Sequence, residues 1–199
     1  FNLAQALIDE GDEVIIPSPY WVTYPELVVY SGGVPVFIET DESTEFKITA
    51  KQLKEKITPK TKILMLNSPS NPTGSIYSKD ELLAIGEVLK GTDIIVLSDE
   101  MYEKLIYKGK KFTATAEVSP DMYNRTVTIN GLSKSVAMTG WRFGYVACPN
   151  SALAKAMSKL QGQVTSNVNS MTQYAAIVAL EGYANKDIEM MRIEFEKRK

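Results

Sequence analysis

The strongest constraint on the fold is a regular alternation of short apolar runs with helical patterns. Six runs rich in valine and isoleucine have the length and composition of β-strands. They are Glu13–Pro17, Val34–Ile38, Lys62–Asn67, Ile94–Ser98, Thr126–Asn130 and Arg142–Ala147. Several are apolar without interruption, which is typical of strands that are buried on both faces of a parallel sheet. The pattern therefore predicts an α/β fold with a mainly parallel sheet flanked by helices.

Helical patterns occupy the segments between the strands and most of the last third of the chain. They are Phe1–Ile8, Tyr24–Ser31, Ala50–Lys56, Lys79–Lys90, Ser151–Gln163, Asn169–Glu181 and Lys186–Lys199. The first pattern has no capping residue before it and the last has no stop signal. The sequence also lacks an initiator methionine, so we expect a piece of a longer protein; frayed natural termini are the alternative.

Composition excludes several classes of protein. The 199 residues are 44% hydrophobic and 23% charged, with a net charge of −2. This is ordinary for a soluble globular domain and predicts no nucleic-acid partner and no membrane partner. Cys148 is the single cysteine, which favours a reducing cytoplasm. Histidine is absent, so acid–base chemistry falls to lysine, carboxylates or tyrosine.

Polar residues follow three of the predicted strands at their carboxyl ends. Asn71 comes soon after the third strand, Asp99 closes the fourth, and Lys134 follows the fifth. In open α/β sheets, ligands bind in the crevice beyond the carboxyl ends of the strands. The sequence therefore predicts a binding site on this edge, with these three side chains directed toward it.

Lys134 and Arg142 are the most specific pair in the chain. Lys134 lies in a small polar segment, Ser133–Ser135, that we interpret as a loop. A lysine amine bound to an aldehyde is activated, and once released it is a local base. Arg142, placed at the start of a strand predicted to be buried, offers a planar fork for a phosphate. The alternatives are an ordinary exposed lysine and a salt bridge from Arg142 to a protein carboxylate.

Asp99 supplies a carboxylate that would keep a pyridine nitrogen protonated, so that the ring could accept electrons. A helix N-cap is the alternative role for this residue. Glu100 is the competing carboxylate, and we expect its side chain to point the other way. Tyr102 and Asn71 could both hydrogen-bond a phenolic oxygen on the same ring. Taken alone, they are equally well interpreted as an interior tyrosine and a turn asparagine.

Trp21 follows the first strand in a proline-stiffened loop and could stack on a flat heterocycle. Tyr20 is the weaker rival, and a packing aromatic is the alternative. Together these groups comprise an amine, a phosphate-pairing cation, a carboxylate, hydrogen-bonding groups and an aromatic plane. Pyridoxal 5′-phosphate requires that set, because it carries an aldehyde, a phosphate, a ring nitrogen and a phenolic oxygen.

On these residues and on the Asn71-Pro72-Thr73-Gly74 turn, the chain resembles the fold type I pyridoxal-phosphate aminotransferases. It is most similar to class I aspartate/aromatic enzymes of the bacterial branch, and the resemblance covers residues 1–199. It implies the three-layer α/β/α large domain, with one lysine bonding the cofactor and moving the proton. It further implies a ligand for the pyridine nitrogen, two for the ring oxygen, a stacking ring and a phosphate ligand. By this resemblance Lys134 bonds the cofactor, Asp99 pairs with the pyridine nitrogen, and Asn71 and Tyr102 bind the ring oxygen, while Trp21 stacks on the ring and Arg142 binds the phosphate. The resemblance makes Lys134, Asp99 and Tyr102 catalytic, and it places Trp21 and Asn71 near the substrate as well.

The chain departs from the family pattern in ways that affect activity. Gly131 stands where many members have serine, and Ser133 is the candidate replacement for that phosphate contact. The family's phosphate loop precedes the segment that matches Phe1. Its substrate-carboxylate arginine lies in a C-terminal small domain, and none of the remaining arginines here matches it. The resemblance thus implies an incomplete large domain, and we expect the isolated chain to be nearly inert.

The expected reaction is transfer of an amino group between an L-amino acid, aspartate or an aromatic one, and a 2-oxo acid. The resemblance also implies a homodimer. One alternative keeps the cofactor, as a β-lyase or a cyclopropane-carboxylate synthase. Another is the ligand-sensing domain of a transcription regulator. A nucleotide-binding α/β domain ranks lowest, since no glycine fingerprint of that kind is present.

Overall fold

The computed structural model describes residues 1–198, in which six strands form one sheet in the order β2-β1-β3-β4-β5-β6. Neighbours from β2 to β5 are parallel, and β6 pairs antiparallel with β5 at one edge. The strands are β1 (Glu13–Ser18), β2 (Val34–Glu39), β3 (Thr61–Asn67), β4 (Ile95–Asp99), β5 (Thr126–Gly131) and β6 (Gly144–Ala147). The predicted mainly parallel α/β fold is confirmed.

Nine α-helices precede, connect or follow the strands within the described residues. They are α1 (Asn2–Leu7), α2 (Thr23–Tyr30), α3 (Ala50–Lys56), α4 (Lys79–Leu89), α5 (Pro120–Arg125), α6 (Leu132–Ser135), α7 (Ser151–Val164), α8 (Ser170–Leu180) and α9 (Asn185–Lys197). Two of them begin at complete capping boxes, Thr49 with Gln52 for α3 and Ser78 with Glu81 for α4. The helix predicted for Lys186–Lys199 corresponds to α9, and Lys199 lies outside the described residues.

Both faces of the sheet are covered by buried apolar side chains, which gives the three layers. Alternate residues of β1, Ile15 on one side and Val14 and Ile16 on the other, enter two separate cores. The first core includes side chains of α3, α4 and α5, and the second includes side chains of α1, α2 and α7. Each fully buried aliphatic side chain contributes roughly 1.5–3 kcal/mol to folding, so the layered packing is the main source of stability.

Three local predictions are corrected by the structure. The strand expected from Arg142 begins only at Gly144, and it is an exposed antiparallel edge strand rather than a buried one. Arg142 itself has a φ of 54°, in the left-handed region, so its backbone cannot continue the strand. The Ser133–Ser135 segment, interpreted as a loop, lies within the short helix α6. The helix α5 was not predicted.

Among residues 1–198, no helix combines the length and the low charge that a membrane-crossing segment requires.

Glu100 lies on the opposite side of β4 from Asp99, as expected. It is 3% exposed, and its Oε1 atom accepts hydrogen bonds from the Ser98 hydroxyl at 2.9 Å and the Thr115 backbone N–H at 3.1 Å. Burial is the main cause that raises the pKa of the Glu100 carboxyl, although these hydrogen bonds lower it. Ionised Glu100 is therefore disfavoured in the folded chain.

Glu100→Gln is expected to make the stability of the protein less dependent on pH. A carboxyl pKa that is raised by folding stabilises the fold below its unfolded value near 4.3, and this contribution is lost as pH rises through the folded pKa. Glutamine keeps an acceptor oxygen for Ser98 and Thr115 but cannot ionise. Urea midpoints at pH 5 and pH 8 should therefore differ less in the variant than in the parent. The control is Glu55→Gln, at an exposed position that makes no ion pair with residues 1–198. This variant should retain the difference between the two urea midpoints that the parent shows.

Candidate active site at the carboxyl edge of the sheet

Asp99 is the central acidic group of the site. It is the last residue of β4, in register with Asn67 at the end of β3 and Ile129 near the end of β5. Its Oδ2 atom accepts a hydrogen bond from the Tyr24 hydroxyl at 2.7 Å, and its Oδ1 atom accepts one from the Met101 backbone N–H at 3.2 Å. Burial raises the pKa of the Asp99 carboxyl, and both hydrogen bonds lower it. Two donors thus stabilise a carboxylate that is partly removed from water.

Asn67 connects the turn that contains Asn71 to the end of β4. Its Nδ2 atom donates to the Asp99 carbonyl at 2.9 Å, and its Oδ1 atom accepts from the Asn71 backbone N–H at 2.7 Å. Asn71 and Tyr24 line the same small cavity. The structure therefore places Asn71 on the same side of the site as Tyr24, the residue bonded to Asp99.

Lys134 and Tyr102 face each other at the site. The Lys134 Nζ atom lies 5.9 Å from the centroid of the Tyr102 ring. Lys134 is exposed, and within residues 1–198 its ammonium makes neither a hydrogen bond nor an ion pair. Burial, together with the negative charge of Asp99, raises the pKa of the Tyr102 phenol. The Tyr102 phenol is therefore held more firmly in its protonated, neutral form.

Trp21 is 43% exposed and contacts Tyr24 edge to face, with 5.5 Å between the ring centroids. Its indole is thus held near the Asp99 hydrogen bond while remaining partly accessible. Tyr20, the rival stacking residue, packs instead against Phe37 with ring centroids 5.0 Å apart. The structure therefore leaves Trp21 as the more accessible aromatic plane.

Arg142 is exposed, and it forms no ion pair with any carboxylate of residues 1–198. The predicted burial of Arg142 is therefore wrong, and the alternative of a salt bridge is not seen in the part of the chain described. The Nη1 atom of Arg142 donates to the Thr139 carbonyl at 2.9 Å, and the Thr139 hydroxyl donates to the Ser133 carbonyl at 2.8 Å. Thr139 thus links the guanidinium to the residue beside Lys134, while no direct hydrogen bond joins Arg142 to Asp99.

A family model described as aminotransferase class I and II matches residues 1–199. The chain belongs to this aminotransferase family. It is 54% identical over 198 residues to an aspartate aminotransferase of Geobacillus stearothermophilus and 49% identical over 199 residues to an asparagine–oxo-acid transaminase of Streptococcus mutans. Both alignments cover 100% of the chain and 50% of the relative. The chain therefore spans about half the length of the curated relatives it matches.

The fold agrees with that of solved aminotransferases. A crystal structure of the aspartate aminotransferase from Rhizobium meliloti superposes with a TM-score of 0.95 at 43% identity. The superposition covers 99% of this chain and 49% of that one. The predicted family and its α/β architecture are therefore confirmed.

Gly131, the departure from the family pattern, is required by close packing in this aminotransferase chain. A β-carbon at Gly131 would lie 2.8 Å from the carbonyl oxygen of Phe143 and 3.2 Å from the Cα of Gly144. Both contacts are to backbone, which cannot move as easily as a flexible side chain. A serine at this position would therefore displace the antiparallel β5–β6 pairing that precedes Lys134.

Tyr24 and Asn67 contact the candidate site residues in the fold, although neither was predicted from the sequence. Tyr24 is 75 positions from Asp99, so no local spacing indicates their hydrogen bond. Asn67 could have been noticed as a polar residue that ends a buried apolar strand. The hydroxyl of Ser133, a predicted phosphate ligand, makes no hydrogen bond among the described residues; only its carbonyl is engaged, by Thr139.

Proposed function

We propose that this chain forms the cofactor-binding large domain of a pyridoxal-phosphate-dependent aminotransferase. The observation that carries the proposal is the placement of the Lys134 amine 5.9 Å from the Tyr102 ring, because the phenol of that tyrosine also feels the charge of the doubly hydrogen-bonded Asp99. The whole protein would transfer an amino group between an L-amino acid and a 2-oxo acid. Aspartate is the first candidate donor, because the matched relatives are named aspartate aminotransferase and asparagine–oxo-acid transaminase.

The donor set fits pyridoxal 5′-phosphate. Lys134 and Arg142 are two cationic groups without a carboxylate partner among residues 1–198, and they suit an aldehyde and a phosphate. Asp99 suits a protonated ring nitrogen, and the phenol of Tyr102 and the amide of Asn71 suit the ring oxygen. Trp21 offers a partly exposed aromatic plane. When bound, the cofactor supplies an electron-accepting ring that stabilises negative charge at the substrate α-carbon.

Residues of this chain would bind and orient the cofactor and would move the proton. Lys134 would hold the cofactor covalently, and its Nζ atom, once released, would accept the proton from the substrate α-carbon. Asp99 would keep a proton on the ring nitrogen through its negative charge. Tyr102 and Asn71 would donate hydrogen bonds to the ring oxygen. Arg142 and Ser133 would orient the phosphate end, with Thr139 linking them.

The alternatives that share the cofactor would use the same residues of this chain. A β-lyase or a cyclopropane-carboxylate synthase would release a β leaving group instead of exchanging an amino group. A ligand-sensing regulator would bind the cofactor without turnover. The relatives from Geobacillus stearothermophilus and Streptococcus mutans are named as an aminotransferase and a transaminase, which favours transamination over these alternatives.

The proposal is tested on the product of the complete reading frame, because the chain spans half of its relatives. The protein is incubated with pyridoxal 5′-phosphate, reduced with borohydride and digested for mass spectrometry. We expect the cofactor mass on the peptide that contains Lys134 and amino transfer from aspartate to a 2-oxo acid. Labelling without amino transfer would favour a ligand-sensing regulator. Release of pyruvate and ammonia from a β-substituted amino acid would favour a β-lyase or a cyclopropane-carboxylate synthase.

We extend the proposal to a cytoplasmic homodimer. The single cysteine, Cys148, is free, as expected in a reducing compartment. The helix α8 exposes apolar side chains, including Tyr174 (75% exposed), Ile177 (51%) and Val178 (53%). Exposed apolar faces of this kind mark interaction surfaces, and a second copy of the protein is our proposed partner. Sedimentation of the complete protein as a monomer at micromolar concentration would contradict this assembly.

A further inference from the structure

We infer that Tyr24 is a positioning residue for Asp99, whose hydroxyl keeps that carboxylate ionised and fixed in orientation at the edge of the sheet. Tyr24 lies in the first turn of α2 and is 7% exposed. Its hydroxyl is 2.7 Å from Oδ2 of Asp99, and the phenol belongs to a different structural element from the strand that carries the acid. The importance of this bond for catalysis rests on the proposed function; the bond itself does not.

Within residues 1–198, Asp99 has no cationic partner that could stabilise its charge. Among residues 1–198, no lysine or arginine nitrogen lies within ion-pair distance of its carboxylate, and its two hydrogen-bond donors are the Tyr24 hydroxyl and the Met101 N–H. The titratable groups that face it are Tyr24 from α2 and Tyr102 from the following turn. Lys134 of α6 lies beyond the Tyr102 ring. With so few compensating groups, each hydrogen bond has a large effect on ionisation.

The phenol of Tyr24 is well suited to remain a donor. Burial and the nearby charge of Asp99 raise its pKa far above the ordinary value near 10. Its proton is therefore retained across the pH range in which an aminotransferase would work. A buried carboxylate that lost this donor would bind a proton at higher pH, and a protonated Asp99 could not keep a ring nitrogen charged.

The effect of the Tyr24 hydroxyl can be measured separately from the packing of the Tyr24 ring. Phenylalanine at position 24 preserves the ring that contacts Trp21 edge to face at 5.5 Å, and it removes only the hydrogen bond to Asp99. Tyr77 offers a matched control, because it is also buried, at 4% exposed, and its hydroxyl accepts a hydrogen bond from the Ile48 N–H instead. Tyr77→Phe thus deletes a comparable buried hydroxyl without touching Asp99.

The test is a carboxyl ¹³C NMR titration of Asp99 in the protein without added cofactor. In Tyr24→Phe we expect the deprotonation equilibrium of Asp99 to become about tenfold less favourable, because hydrogen bonds to charged groups are strong. Tyr77→Phe should titrate like the parent. An Asp99 titration that is the same in Tyr24→Phe and the parent would overturn the inference.

A second measurement uses the parent protein alone and does not depend on whether Tyr24→Phe folds. In the parent protein, the ¹³Cζ resonance of Tyr24 should shift through the same pH range as the Asp99 carboxyl. If it does not respond to that titration, the inference fails even where Tyr24→Phe does not fold.

In the cofactor-loaded protein, the acid limb of the kcat/KM profile should move to higher pH in Tyr24→Phe and stay in place in Tyr77→Phe. An acid limb that does not move in Tyr24→Phe would contradict the catalytic part of the inference. Failure of any lysine to bind the cofactor would refute the proposed function and leave the Asp99 titration intact. A normal cofactor label with an unchanged Asp99 titration would refute the Tyr24 role alone.

Discussion

Lys134→Ala is expected to abolish covalent attachment of the cofactor and to lower amino transfer by about 10⁴-fold, the upper range for loss of a proton-transfer group. Alanine lacks the amine that lies 5.9 Å from the Tyr102 ring. No hydrogen bond or ion pair of this ammonium within residues 1–198 would be lost, so the fold should be retained. The measurement is cofactor mass after borohydride reduction, combined with kcat from aspartate and a panel of 2-oxo acids.

Lys155→Ala is the control for this substitution. Lys155 is an exposed lysine of α7 that makes no ion pair in the described part of the chain, so its replacement should leave both labelling and kcat near the parent values. Persistent labelling of the Lys134→Ala protein would mean that another lysine carries the cofactor. In that case the assignment of the site to the end of β5 would be wrong.

Asp99→Asn is expected to lower kcat by about 10²–10³-fold, the magnitude associated with loss of one preorganised electrostatic contact. Asparagine preserves the shape of the side chain, and its amide oxygen can still accept the Tyr24 hydroxyl. It cannot carry the negative charge that holds a proton on a ring nitrogen. Because the carboxyl is already penalised by burial, thermal stability should change little.

The control for Asp99→Asn is Asp93→Asn, which removes an exposed aspartate near the start of β4 that makes no ion pair among the described residues. Its kcat should equal that of the parent. Retention of parental kcat by Asp99→Asn would show that this carboxylate does not support the chemistry, whatever its hydrogen bonds.

Strand positions could be predicted from the sequence because several of the parallel strands are continuous apolar runs. Ile94–Ser98, for example, differs from β4 by one residue at each end. The same pattern predicted that Asn71, Asp99 and Lys134 would lie at one edge of the sheet, because all three come at or after the ends of strands. Burial on both faces leaves a strong compositional signal, and this signal does not depend on distant contacts.

Features that depend on long-range packing could not be predicted in this way. Arg142 adopts a left-handed backbone conformation, which glycine adopts far more often than arginine does. No pattern of residues in the sequence predicts that conformation here. The short helix α6 follows directly after Gly131, whose close approach to Phe143 comes from the β5–β6 pairing. The Tyr24–Asp99 bond likewise joins elements that meet only after the sheet has formed.

The two hydrogen bonds of Asn67 have a consequence for how the site could vary among related proteins. One amide fixes the separation between the group proposed to bind the ring oxygen, Asn71, and the strand end that presents Asp99. A shorter or longer side chain at position 67 would alter the distance between the Asn71 turn and the end of β4, although Asn71 and Asp99 themselves would be unchanged. Asn67 therefore couples the backbone of the Asn71 turn to the end of β4, so a change in the length of its side chain would move the turn relative to that strand end.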